Sequence, residues 1–211
     1  MNTAAASADF RSKTLALCIA SSALLLGVAA LRWSLVDILT PFLLIPIEGV
    51  VWLLFACVLL ASVVAAVRHR SNRLKALLPL AVCAAALTAV LSVPFTQIWL
   101  SANFHLKRQA REHVIHEMLA GTLRPNVQHN RSLVALLGGA SVSAGGNEVV
   151  THDAPTGKFV FFFTYRGILN SASGFLWVPS GASPEQFAEL NGPIAEAIQY
   201  AQNWYFISMA P

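Results

Sequence analysis

Three long, predominantly apolar stretches of the chain contain no Asp, Glu, Lys or Arg: residues 14–31, 49–67 and 76–104. Each is close to the roughly 20 apolar residues that a helix needs to cross a hydrocarbon layer about 30 Å thick. Inside that layer every backbone N–H and C=O must find its partner within the segment, so such a run is helical. The expected architecture is an α-helical membrane anchor of three transmembrane helices, at 14–31, 49–67 and 78–100, followed by a small α+β domain with an antiparallel sheet. On this reading residues 1–13 are a cytoplasmic tail, 14–101 the membrane domain and 102–211 the extramembrane domain. The composition agrees, since 56% of residues are hydrophobic and only 11% charged, against about 25% charged in an ordinary soluble domain.

The first run has a competing reading. Arg11 and Lys13, an apolar stretch and the small residues Val28, Ala29 and Ala30 also fit a cleaved secretory signal, which leaves two spans. The length of the run and the membrane segments after it favour an uncleaved anchor. Orientation follows from the bases retained in cytoplasmic loops. Arg68, Arg70, Arg73 and Lys75 lie between the second and third runs, and Arg11 and Lys13 precede the first. Between the first two runs Arg32 stands beside Asp37. The N-terminus is therefore expected in the cytoplasm and the C-terminal domain outside, which in a bacterium, as the Ala- and Leu-rich usage suggests, is the periplasm. Lys107, Arg108 and Arg111 argue the other way, and are expected to meet lipid headgroups.

Residues 35–47 carry Pro41 and Pro46 and are too short to span, so they are expected to approach the membrane as an interfacial or re-entrant segment. Glu48 at their end is read as a solvated boundary carboxylate. A channel or transporter would be centred on it, but no charged partner is visible in the other spans; His69 lies in the basic loop and Gln97 is the one strongly polar side chain deep in the third run. Cys18, Cys57 and Cys83 all fall in the spans, so no disulfide within the extramembrane domain can hold it together.

Beyond residue 101 a helix is expected over 103–120, with Phe104, Val114, Ile115, Met118 and Leu119 on its apolar side and Gly121 and Pro125 ending it. An apolar run at 133–137 leads into a flexible connection around Gly138, Gly139, Gly145 and Gly146. Residues 148–152, 158–166 and 174–178 read as strands of an antiparallel meander. The consecutive Phe161, Phe162 and Phe163 require a central strand covered on both faces. Ser183, Pro184 and Glu185 open a helix, Asn191 to Pro193 interrupt it, and a second helical piece is expected to end near Gln202, before a last strand at 204–209.

The segment REHVIHEMLAG, 111–121, invites a metal reading. A helical metalloprotease needs two His four apart with Glu between them, so that both imidazoles face one ion. His113 and His116 are three apart and Glu117 follows them; with Glu112 they are retained only as metal candidates, and no cofactor is expected. His105, Gln109, Glu112 and His116 form a polar helical stripe of the kind any amphipathic helix carries. Ser141, Ser143, Ser171 and Ser173 lie near glycines but lack a nucleophile elbow, and His129, His152 and Asp153 can be joined to them only in space. Nucleic acid is not an expected partner, because the net charge of +4 comes largely from membrane-flanking bases. Strand-end residues are the candidates for recognition: Tyr165, Arg166, Asn170 and Ser171 in one turn cluster, Asn147 and Glu148 in another. No stretch carries a family signature residue by residue. The expected function is a non-enzymatic membrane protein whose outer domain binds a protein partner in the cell envelope, in an immunity or accessory role. The rival class is a membrane-anchored hydrolase using His113, His116 or a loop serine, and a third is a small channel or transporter subunit.

Overall fold

A computed structural model describes residues 3–68, 73–128, 130–138, 140–167 and 171–209. The chain divides into two compact units, Met1–Trp99 and Leu100–Pro211.

The first unit is helical. Helix α1 (Thr3–Arg68) breaks at one residue, Thr40, whose φ of 66° and ψ of 154° leave the helical region. The cause is local, because Pro41 excludes the preceding residue from the α conformation. Residues 35–47 form the tip of a helical hairpin, and Pro46 is accommodated one turn into its second arm. The arms are antiparallel: Arg32 pairs with Glu48 and Cys18 with Ser62, each pair equidistant from Thr40. Helix α2 (Arg73–Ser92) packs on the hairpin, and Cys18, Leu25, Val51, Phe55, Cys83 and Ala86 form the buried seam.

Two helices, Ser12–Thr40 and Phe42–Val67, are each long and apolar enough to cross a membrane. A third span requires counting the bent pair of α2 and α3 (Phe95–Leu119) as one, with 61° between Leu77–Ser92 and Phe95–Leu119. The third span expected at 78–100 contains this bend. Pro94 supplies no N–H and disfavours helix at Val93, so α2 ends there and a new helix starts at Phe95. The molecule is a membrane protein with two or three helices apolar enough to span and an antiparallel-sheet unit.

In the second unit α3 runs on to Leu119 and ends at Gly121, whose φ is 77°. Gly121 N donates to Met118 O and Thr122 N to Glu117 O, the paired bonds of a left-handed helix end. Six strands form one antiparallel sheet in the order β1-β2-β3-β4-β6-β5. They are β1 (Leu133–Ala135), β2 (Glu148–Ala154), β3 (Gly157–Arg166), β4 (Ala172–Trp177), β5 (Ile194–Ala201) and β6 (Trp204–Met209). A helical turn, α4 (Ala144–Asn147), precedes β2, and α5 (Pro184–Asn191) precedes β5. The apolar run after Ser132 supplies β1, and the second helical piece expected before Gln202 is instead strand β5. Ala, Glu and Gln favour a helix in that segment, but a tight turn with Asn203 at φ 66° folds it onto β6, and pairing decides the outcome.

Strand β3 is central, and its four phenylalanines divide by side. Phe159, Phe161 and Phe163 join Leu176, Ile207 and Phe187 of α5 in one core. Phe162 faces the opposite way, with Phe175, Trp204 and Phe104 of α3. The sheet is thus buried on both faces, which is why this strand reads as an uninterrupted apolar run.

Candidate functional site

The strand-end residues nominated for recognition converge at one end of β2 and β3. Arg166 Nη1 lies 2.6 Å from Glu148 Oε2, and its guanidinium sits 5.1 Å from the centroid of the Phe163 ring. Its aliphatic stem passes over Gly145, where an added Cβ would come within 3.3 Å of Arg166 Cδ. Glycine is needed there twice over, since φ is 68°.

Beneath this ion pair the loop before β2 is fixed by side chains. Asn147, at φ 56°, accepts from Val142 N at 2.9 Å and Ser143 N at 3.2 Å. The Ser143 hydroxyl is buried; it donates to Glu148 O at 2.5 Å and accepts from Phe163 N at 2.9 Å. Residues 142–147, at the end of the connection read from sequence as flexible, are therefore a built loop.

Its deepest support is Arg111, which the sequence alone assigns to lipid headgroups. Instead it is 1% exposed. Nε donates to Val142 O at 3.1 Å and Nη2 to Asn103 Oδ1 at 2.7 Å, while the guanidinium lies 4.7 Å from the centroid of the Phe175 ring. Among the described residues no carboxylate pairs with it, and Nη1 has no hydrogen-bond partner. Burial alone pulls its pKa down to about 10, because a cation removed from water is disfavoured. Its spacing from Phe104, Ile115 and Met118 on one helical face was the signal available in the sequence, but a basic residue close after a span reads first as an interfacial one.

Of the six recognition candidates, Arg166 and Glu148 are joined directly, and Asn147 shapes the loop under them. Tyr165 is half-buried and follows a register irregularity in the pairing of β3 with β4. Ser171 is half-buried too, and its carbonyl accepts from Gly167 N at 2.8 Å, closing the β3–β4 turn. Asn170 lies outside the described residues, as do His69 and His129.

Two of the three metal candidates are engaged with other side chains. His113 Nε2 stands 3.6 Å from Glu117 Oε1, Glu112 pairs with Arg108 at 2.7 Å, and His116 is exposed. Among the described residues no three His, Cys, Asp or Glu side chains come together in a geometry that holds an ion. His105, Gln109, Glu112 and His116 do share an exposed stripe, whereas Leu119, expected on the apolar side, is exposed at the end of the helix. In the helical unit Glu48 is not a lone carboxylate, since Arg32 lies 2.8 Å away. Gln97 is exposed, one residue from the Thr96 hydroxyl that accepts from Trp33 Nε1.

No family model, curated protein or solved structure matches this chain.

Proposed function

We propose that the protein is a non-enzymatic integral membrane protein of a bacterial inner membrane whose C-terminal unit lies in the periplasm. There it binds a protein partner of the envelope, in an immunity or accessory role. The observation that carries this reading is the Arg166–Glu148 pair, a partly exposed ion pair on a loop with a buried, hydrogen-bonded base. A rigid base lowers the ordering cost of binding, and an arginine already aligned by a carboxylate and an aromatic ring is well suited to anchor an interface.

Supporting the membrane placement, Lys13 and Arg32 are about 29 Å apart along the first arm at 1.5 Å per residue, close to one hydrocarbon thickness. Trp33 and Trp99 stack with centroids 6.1 Å apart, and Trp99 Nε1 donates to Ser34 Oγ, the amphipathic arrangement favoured at a membrane surface. Placing the Lys13 end in the cytoplasm follows the excess of basic residues there.

The test is capture from native membranes with the intact protein. A specific partner retained by wild type and by Gln128→Ala, and lost with Arg166→Ala or Tyr165→Ala, supports the assignment. A partner lost equally with Gln128→Ala removes it.

A further inference from the structure

Strand β5 closes one side of the sheet, and its outer edge is bare. Residues 195–199 are all exposed, and Ile198 keeps 44% of its surface in solvent. Among the described residues its backbone takes part in no hydrogen bond outside the pairing with β6, apart from one that Gln199 Nε2 gives to Ala201 O. Every second residue of such a strand turns its N–H and C=O away from its neighbour. An edge of this length is ordinarily blunted by several charges, by proline or by a covering element. Here Ile194–Ala201 has no proline and one charge, Glu196.

We propose that this edge pairs with the same edge of a second copy of the chain, antiparallel and centred on Ile198, to make one continuous sheet across a two-fold axis. The side-chain order is self-complementary in that register. Glu196, Ile198 and Tyr200 alternate onto one face, because Glu196 pairs with Ser208 and Ile198 with Phe206 of β6, and Tyr200 packs on Phe175 and Phe206. Opposite residues of an antiparallel pair share a face, so a two-fold axis at Ile198 sets Ile198 against Ile198. It sets Ala197 against Gln199, and Glu196 against Tyr200 of the second copy.

The exposed isoleucine is thereby covered by its own kind, and each tyrosine hydroxyl meets a carboxylate. The one charged residue never faces itself. Register irregularities between Ile194 and Glu196 and between Gln199 and Ala201 leave residues 196–199 regularly paired with β6, a stretch that contains this axis, with Tyr200 held on the same face by its ring contacts. An unrelated strand would gain the backbone hydrogen bonds but not the matched order of side chains. The edge lies three strands away from β3, which carries Arg166, so this association is independent of partner binding there.

The experiment uses the full chain in lipid nanodiscs or mild detergent, with Cys57→Ala removing the exposed native thiol. Ile198→Cys is expected to form a disulfide-linked dimer under mild oxidation well ahead of Gln128→Cys. Like charges directly opposite each other oppose strand pairing, so Ile198→Lys is expected to weaken dimerisation at least tenfold by mass measurement, with the circular dichroism of the wild type retained. A monomer at all concentrations overturns the proposal. So does cross-linking no faster at position 198 than at 128, a dimer unaffected by Ile198→Lys, or a position-198 cross-link made only to a different protein in native membranes.

Discussion

Arg32 Nε lies 2.8 Å from Glu48 Oε1, and the two residues stand eight positions before and eight after Thr40. The pair closes the neck of the helical hairpin, leaving about 12 Å of helix on each arm between it and the tip. Because Arg32 is more than half exposed, water screens the attraction. A double-mutant cycle with Arg32→Ala and Glu48→Ala, read by thermal unfolding in detergent, is expected to give a coupling of about 0.5–1 kcal/mol. A coupling indistinguishable from zero would show that the two groups do not sense each other.

Thr40 itself is strained, since a β-branched residue at φ 66° and ψ 154° occupies a region open mainly to glycine. Thr40→Gly is expected to stabilise the helical unit by about 1 kcal/mol, raising its melting temperature; Thr40→Val is expected to preserve the strain and leave it unchanged.

Ser143 holds the loop to the central strand. Its replacement by alanine leaves Phe163 N without its acceptor in a buried site. The expected cost is about 1–3 kcal/mol, seen as faster native-state hydrogen exchange at the Phe163 amide. Weakened partner capture is expected in parallel, because Glu148 O loses the same hydroxyl. Unchanged exchange at Phe163 would argue against this bond.

Gly174 lies opposite Phe163 in the pairing of β3 with β4, and a Cβ there would press into the Phe162 carbonyl. Rigid backbone cannot yield as a side-chain tip can. Gly174→Ala is therefore expected to prevent native packing of the sheet unit, abolishing its near-ultraviolet circular dichroism, while Gly138→Ala, strained by a φ of 83° but with open space around it, is expected to lower stability without removing that signal.

Arg111 makes a prediction about pH. Its folded pKa is lowered by burial from the ordinary arginine value to about 10, so the cation opposes folding below pH 10. Between pH 10 and the ordinary arginine value the unfolded chain binds more protons than the folded one, and this contribution to stability rises with pH. At about 1.4 kcal/mol for each pH unit separating the two values, the contribution is on the order of 3 kcal/mol. Arg111→Met keeps the volume without the charge and is expected to remain within about 1.5 kcal/mol of wild type. Arg111→Ala leaves a cavity and is expected to cost about 3 kcal/mol or more. Urea unfolding of the three proteins at about pH 8 and pH 10.5 checks both points: wild type should gain on Arg111→Met as the pH rises.

Much of the architecture was legible in the chain because the cause is local. A charge-free run of about 20 residues is confined to a helix by its own backbone wherever it meets hydrocarbon. Alternation and flanking turns likewise mark β2, β3, β4 and β6, and a triple phenylalanine marks a strand covered on both sides. What the amino-acid order could not settle depends on neighbours distant along the chain. Residues 194–201 have helix-favouring composition and become a strand because β6 lies beside them. Arg111 carries the charge of an interfacial residue and is buried because Phe162, Phe175, Asn103 and Val142 surround it. The strand-end residues were nominated separately, and the fold brings Arg166 to Glu148 across an 18-residue separation. The sequence by itself determined which segments are apolar enough to cross a membrane and which form the central strands, since hydrophobicity and backbone pairing act along the chain. Only the tertiary structure decided which charge is buried and which strand edge is left bare, because both depend on what other segments place alongside.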